Sequence, residues 1–173
     1  MADLGRREFV VRMARAAGLA GPVLGLLDGT VRALPRSEET ELSVLRAAIA
    51  LEHEAIAIYD EGLRRSLFPA GLRRYAVEFR GDHLGHRDTQ VAIAEERGGR
   101  APDARVRYEL GPLRSGDDLV RQALRIEIAA QEAYSALISQ IRTKDYRLSA
   151  AFILVDEVRH ETVWRRVLGL KIY

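Results

Sequence analysis

The sequence predicts an all-α fold, a four-helix bundle with a long crossover between its second and third helices. Three observations carry that expectation. Apolar residues recur at helical spacing through four long segments. Clusters of Gly, Pro, Ser, Thr and Asp punctuate the chain where those segments begin and end. The first pair of segments also repeats the second pair in residue pattern and spacing.

The elements follow in order. Residues 1–33 differ in kind from the rest: G-R-R-E-F-V (Gly5 to Val10) precedes the apolar run A-A-G-L-A-G-P-V-L-G-L-L, and V-R-A at 31–33 has the modest side chains of a cleavage site. This order resembles a twin-arginine export signal, which implies export to the periplasm or extracytoplasmic face. A basic amphipathic helix retained on the protein is the alternative. The run is too short to span a membrane, so no integral span is expected once the leader is removed. The domain is expected over 34–173. S-E-E-T-E (Ser37 to Glu41) supplies a cap and acids for helix one, which runs to about Leu67. Pro69 and Gly71 mark a turn, and helix two follows to about Arg97, ending at Gly98 and Gly99. Residues 98–115, with Pro102, Gly111, Pro112 and the extended-looking R-V-R-Y-E-L, form the crossover. S-G-D-D (Ser115 to Asp118) starts helix three, which runs to about Arg142. Thr143 or Asp145 caps helix four, which reaches about Leu168.

Composition removes several function classes. With 173 residues, 47% hydrophobic and 30% charged, the chain can build one real core. It has no cysteine, which excludes disulfides, zinc ribbons, iron-sulfur clusters and thiol catalysis, so a metal would need His and carboxylate ligands. The pI near 9.1 is local in origin. Residues 1–33 hold five Arg against three acids and the remainder holds 22 of each sign, so nucleic acid is not an expected partner.

The chemistry lies in the repeat. Helix one has Ala48, Glu52, Ala55 and Tyr59; helix three has Ala123, Glu127, Ala130 and Tyr134; both read A-x3-E-x2-A-x3-Y. These positions share one helical stripe, so Glu52 and Glu127 point into the core, where an ionised carboxylate needs a positive partner. Helix two has D-H-L-G-H (Asp82 to His86) and helix four D-E-V-R-H (Asp156 to His160), and in each the residues three apart share a face. Glu52 precedes His83 by 31 residues and Glu127 precedes Glu157 by 30, the spacing of a duplicated helical hairpin. His53, one step from Glu52, turns about 100° off the stripe and is read as a surface residue or an outer neighbour of the site.

These residues together resemble the ferritin-like superfamily, over about residues 38–168. Its di-metal site takes one Glu from each of two helices and Glu-x-x-His from each of the others. D-E-V-R-H is similar to the form found in several di-iron members, and Tyr59 and Tyr134 sit where the rubrerythrin-like branch carries tyrosines. The resemblance implies metal ligation by Glu52, His86, Glu127, Glu157 and His160, with His83 at a position usually held by Glu. It implies two ions, iron first, with manganese or zinc as alternatives, and chemistry with oxygen or peroxide. Three carboxylates leave two divalent ions one charge short of balance, which a bridging hydroxide, oxo group or other anion would correct; otherwise a single ion binds. Asp82 and Asp156 are expected either as outer acceptors for the ligand histidines or as surface acids. Tyr59 and Tyr134 are expected beside the site, bonding ligand carboxylates or donating electrons, or as ordinary core tyrosines.

The expected function is therefore a metal-binding ferritin-like protein with a Glu/His di-metal site, acting as an oxidase or peroxidase. The alternatives are a non-catalytic envelope metal-binding or stress protein, and a helical interaction module with a vestigial site. A homodimer is compatible with either.

Overall fold

The computed structural model describes residues 38–111 and 113–172. Four helices carry the fold: α1 (Glu38–Arg64), α2 (Arg73–Glu96), α3 (Gly116–Ile138) and α4 (Lys144–Val167). A short 3-10 turn, Ala70–Leu72, leads into α2, and no strand occurs among the described residues. The expected export leader and the cap at Ser37 lie outside the described residues. The R-V-R-Y-E-L run is irregular, with Val106 fully exposed.

Helix endings follow from local chemistry. After α2, Gly98 adopts φ 69° and donates its N–H to Glu95 O at 2.9 Å, while Gly99 N–H reaches Ala94 O at 2.8 Å. This left-handed closure satisfies carbonyls that the last turn would otherwise leave open. Gly169 closes α4 the same way, at φ 64°. Helix α1 stops at Arg64 rather than near Leu67 because Ser66 takes the left-handed position, at φ 53°, and Leu67 N–H bonds back to Gly62 O at 2.9 Å. At the start of α3, Ser115 accepts from Asp118 N at 3.1 Å, as its sequence position predicts.

Helix α3 is also shorter than expected, ending at Ile138. Beyond it Ile141 is buried and the Arg142 N–H is taken by Glu41 Oε1 of α1 at 2.6 Å, so the chain turns early. Thr143 occupies the cap position of α4, yet its hydroxyl bonds Glu41 and Arg97 instead of the helix. Asp145 lies in the first turn.

Helices α1 and α2 form one hairpin, α3 and α4 the other, and α1 packs on α3. The α2–α4 seam is the loosest. Gly99 lies against Leu42 at the start of α1, and Gly116 lies against the Leu67 carbonyl just past its end. The crossover thus runs the length of the bundle and leaves α1 and α3 antiparallel. His53 Nε2 holds it at Pro102 O, 3.2 Å away, so His53 secures the crossover and is not part of the central cluster.

Two apolar clusters fill the bundle. One gathers Tyr59, Phe68, Phe79, Leu119, Ile126 and Trp164; the other gathers Leu45, Ile49, Tyr134, Leu137, Ile141 and Ile153. Full burial of each such side chain contributes about 1.5–3 kcal/mol. Between them lies a polar layer.

Candidate metal centre

Glu52 and Glu127 stand near the middle of α1 and α3, His83 and His86 on α2, Glu157 and His160 on α4. All six are buried, and apart from His86 none exceeds 1% exposure. The three-residue spacing on α2 and α4 turns both members of each pair inward. The structure brings all six sequence-predicted positions into one cluster.

The cluster divides into two overlapping groups that share His83 and Glu157. In the first, His83 Nδ1 lies 2.8 Å from Glu52 Oε2 and 3.6 Å from Glu157 Oε1. His86 Nδ1 lies 3.2 Å from the same Glu157 oxygen and 3.8 Å from Glu52 Oε1. In the second, His83 Nε2 faces Glu127 Oε1 at 3.4 Å, and His160 Nδ1 faces Glu127 Oε2 at 3.3 Å and Glu157 Oε2 at 3.6 Å. Ligand atoms about 2.0–2.2 Å from a common ion lie about 3–3.5 Å from one another. The separations found are close to those of two coordination shells.

A ring of hydrogen bonds supports the cluster from outside. Tyr134 donates to Glu52 Oε1 at 2.5 Å, and Tyr59 donates to Glu127 Oε1, so each tyrosine crosses to the glutamate of the other hairpin. Trp164 Nε1 donates to the Tyr59 hydroxyl at 2.8 Å, and Gln90 Nε2 donates to that of Tyr134. The far nitrogens of the histidines are held in a similar crossed pattern: His160 Nε2 is 3.1 Å from Asp82, and His86 Nε2 is 3.3 Å from Asp156. Arg159 spans α4 and α2, pairing with Asp82, Asp156 and Glu78. Asp82 and Asp156 are thus the outer acceptors of the two alternatives open in the sequence. Both tyrosines bond ligand-position carboxylates.

Gln90 and Trp164 are the residues that the sequence reading missed. They stand seven residues after His83 and Glu157 respectively, two turns along the same stripe, so extending the repeat by one more position would have found them.

Electrostatics show what the cluster lacks. Burial works against charge on His83, yet the carboxylates of Glu157 and Glu127 outweigh it and hold its pKa well above the ordinary value. The same opposition raises His86, chiefly through Glu157, and lifts His160 to about 10, chiefly through Glu127. Burial would raise Glu127, but His83 and His160 hold it well below the usual carboxylate range. Glu157 moves the other way, raised by burial with only partial compensation from His83. Both Glu157 oxygens and His86 Nδ1 are buried without a hydrogen-bond partner; the 3.2 Å approach between them is not aligned for one. Buried polar atoms are rarely left in this state. One cation in each of the two groups would satisfy all three, so the residues fit a metal.

Among the described residues no helix is long and apolar enough to cross a membrane. No curated protein matches the chain. Among solved structures, a conserved hypothetical protein, rv2844, from Mycobacterium tuberculosis is similar at 30% identity and a TM-score of 0.69, over 73% of this chain and 96% of that one. The ferritin-like domain family matches residues 40–170. With that span, the four-helix architecture and the central Glu/His cluster in agreement, the chain belongs to the ferritin-like domain family.

Proposed function

We propose that this protein binds two first-row cations, iron foremost, at the centre of its bundle, and uses them in oxygen or peroxide chemistry. The observation that carries the reading is the set of buried, unpartnered atoms, Glu157 Oε1 and Oε2 and His86 Nδ1, aimed into the two groups. Glu52, His86, His83 and Glu157 would hold one ion, and Glu127, His160, His83 and Glu157 the other. The mixed imidazole and carboxylate donors suit iron, manganese or zinc. When bound, such a pair supplies Lewis acidity and, for iron or manganese, electrons to a small oxidant.

The chain's own contribution is positioning and exclusion of water. Tyr59 and Tyr134 fix the orientation of Glu127 and Glu52, while Asp82 and Asp156 hold His160 and His86 with Nδ1 inward. Phe79 stacks on the His160 ring at 3.9 Å and closes that side with apolar surface. Metal analysis of protein purified without chelators tests the reading. About two equivalents of cation per chain are expected, reduced in Glu157→Gln. A chain that carries no metal and takes none up in titration would overturn it.

A second reading, metal binding without turnover, is favoured by the near-complete burial of five of the six residues. Oxygen consumption by the iron-loaded protein separates the two. The Arg6-Arg7 signature supports export of the folded protein. Replacing both with Lys should leave a full-length precursor in the cytoplasm; unchanged export would remove that part of the proposal.

A further inference from the structure

We propose that His83 bridges the two cations through both ring nitrogens, as an imidazolate, in place of the carboxylate bridge that its position would otherwise supply. The inference deepens the metal-binding reading and rests on it. Its basis is the placement of one ring. His83 is common to both groups, and its nitrogens face different ones: Nδ1 toward Glu52 Oε2 and Glu157 Oε1, Nε2 toward Glu127 Oε1. The ring is nearly equidistant from the other two histidines, its centroid 5.8 Å from that of His86 and 5.3 Å from that of His160. Glu157 divides in the same way, Oε1 toward His86 and Oε2 toward His160. Two residues, one from each of α2 and α4, therefore present one donor atom to each half.

Charge counting points the same way. Glu52, Glu127 and Glu157 supply three negative charges to two divalent ions. When the second ion binds, the last ring N–H bond of His83 breaks, its electron pair becomes the new metal bond, and the proton leaves to solvent. The ring then carries the fourth negative charge, so the balance lost with the missing carboxylate is restored without an added anion.

The bridge has a measurable length. Ions on opposite edges of one imidazole ring, each about 2.0–2.1 Å from its nitrogen, stand about 6 Å apart, a span that Glu157 meets only by binding each ion through the outward lone pair of one oxygen. Pairs bridged by carboxylates through their inward lone pairs stand about 3.5–4 Å apart. The wider spacing lowers repulsion between the ions by roughly 40%, since Coulomb energy falls as the inverse of distance.

The test is anomalous diffraction from crystals of the full chain loaded with zinc, alongside calorimetric titration of the same protein. Two zinc peaks about 6 Å apart with the His83 ring between them are expected. In His83→Glu the peaks should close to about 3.5–4 Å. In His83→Ala the second binding step should weaken at least tenfold while the first survives. Two ions about 3.5–4 Å apart in the parent protein, with the ring bound to one ion or to none, would overturn the bridge and leave the metal-binding reading standing. A single zinc in the parent would also overturn the bridge. No zinc at all would overturn both.

Discussion

At the scale of single residues, the two tyrosines decide how firmly the cluster is held. Tyr134 receives a hydrogen bond from Gln90 and donates one to Glu52, and burial together with Glu52 keeps its hydroxyl protonated far above the ordinary range. Tyr59 stands in the same relation to Trp164 and Glu127. A hydrogen bond to a charged group contributes about 1.5–3 kcal/mol. Tyr134→Phe should therefore lower stability toward urea by about 1.5–3 kcal/mol and, because Glu52 loses its fixed orientation, weaken cation binding about 10–100-fold. Wild-type affinity in that variant would show that the hydroxyl does not orient the ligand. These contacts were only half legible beforehand. Spacing put Tyr59 and Tyr134 on the inward stripe, but which carboxylate each reaches depends on the antiparallel pairing of α1 and α3, which no local pattern encodes. Asp82 and Asp156 show the same limit: each serves a histidine on the opposite helix, so their role exists only once α2 and α4 are side by side.

At the scale of elements, the helices were visible because amphipathic periodicity persists over several turns, whereas their ends depended on competing contacts. Ser66 is the clearest case. A left-handed residue closes α1, and Ser holds it where Gly closes α2 and α4. The left-handed conformation costs an L-residue roughly 1–2 kcal/mol, partly offset by the larger chain entropy that Gly brings to the unfolded state. Ser66→Gly should raise stability by up to about 1 kcal/mol, read as a shifted urea midpoint with unchanged slope. A destabilised variant would mean that the Ser66 side chain contributes more than its backbone strain removes. The loose α2–α4 seam leads to a second expectation. Above the cluster the covering groups are Arg159, Asp82 and Asp156, all partly exposed, with Arg159 clasping the two acids. Arg159→Met removes the clasp while keeping most of the apolar stem. Cation uptake should quicken several-fold in stopped-flow mixing with little change in the number of ions bound. Unchanged kinetics would place the access route elsewhere.

At the scale of the whole molecule, protons and cations compete for the same buried layer, and the sign of that competition can be worked out. His83, His86 and His160 all have raised pKa values in the folded, cation-free chain, His160 at about 10 against an ordinary 6.5. A raised value means that the charged histidine stabilises the fold fully below about pH 6.5, and that this contribution is lost as pH rises through the folded value. The cation-free protein should therefore lose thermal stability between about pH 6.5 and 10. Glu127, held low, acts in the opposite direction only in acid: its contribution is present above its unfolded value of 4.5 and fades as pH falls through the folded one. Metal binding requires deprotonated nitrogens, so each histidine that is charged before binding releases a proton on ligation. Every proton released makes the apparent affinity rise about tenfold per pH unit. Above pH 6.5 the two forms should diverge, with Tm falling in the cation-free protein and the gap to the zinc-loaded protein widening. Calorimetry at pH 7 in buffers of different ionisation enthalpy should report proton release on binding. A binding heat independent of buffer, or a Tm gap that narrows with pH, would mean that no charged histidine gives up a proton on binding in this bundle.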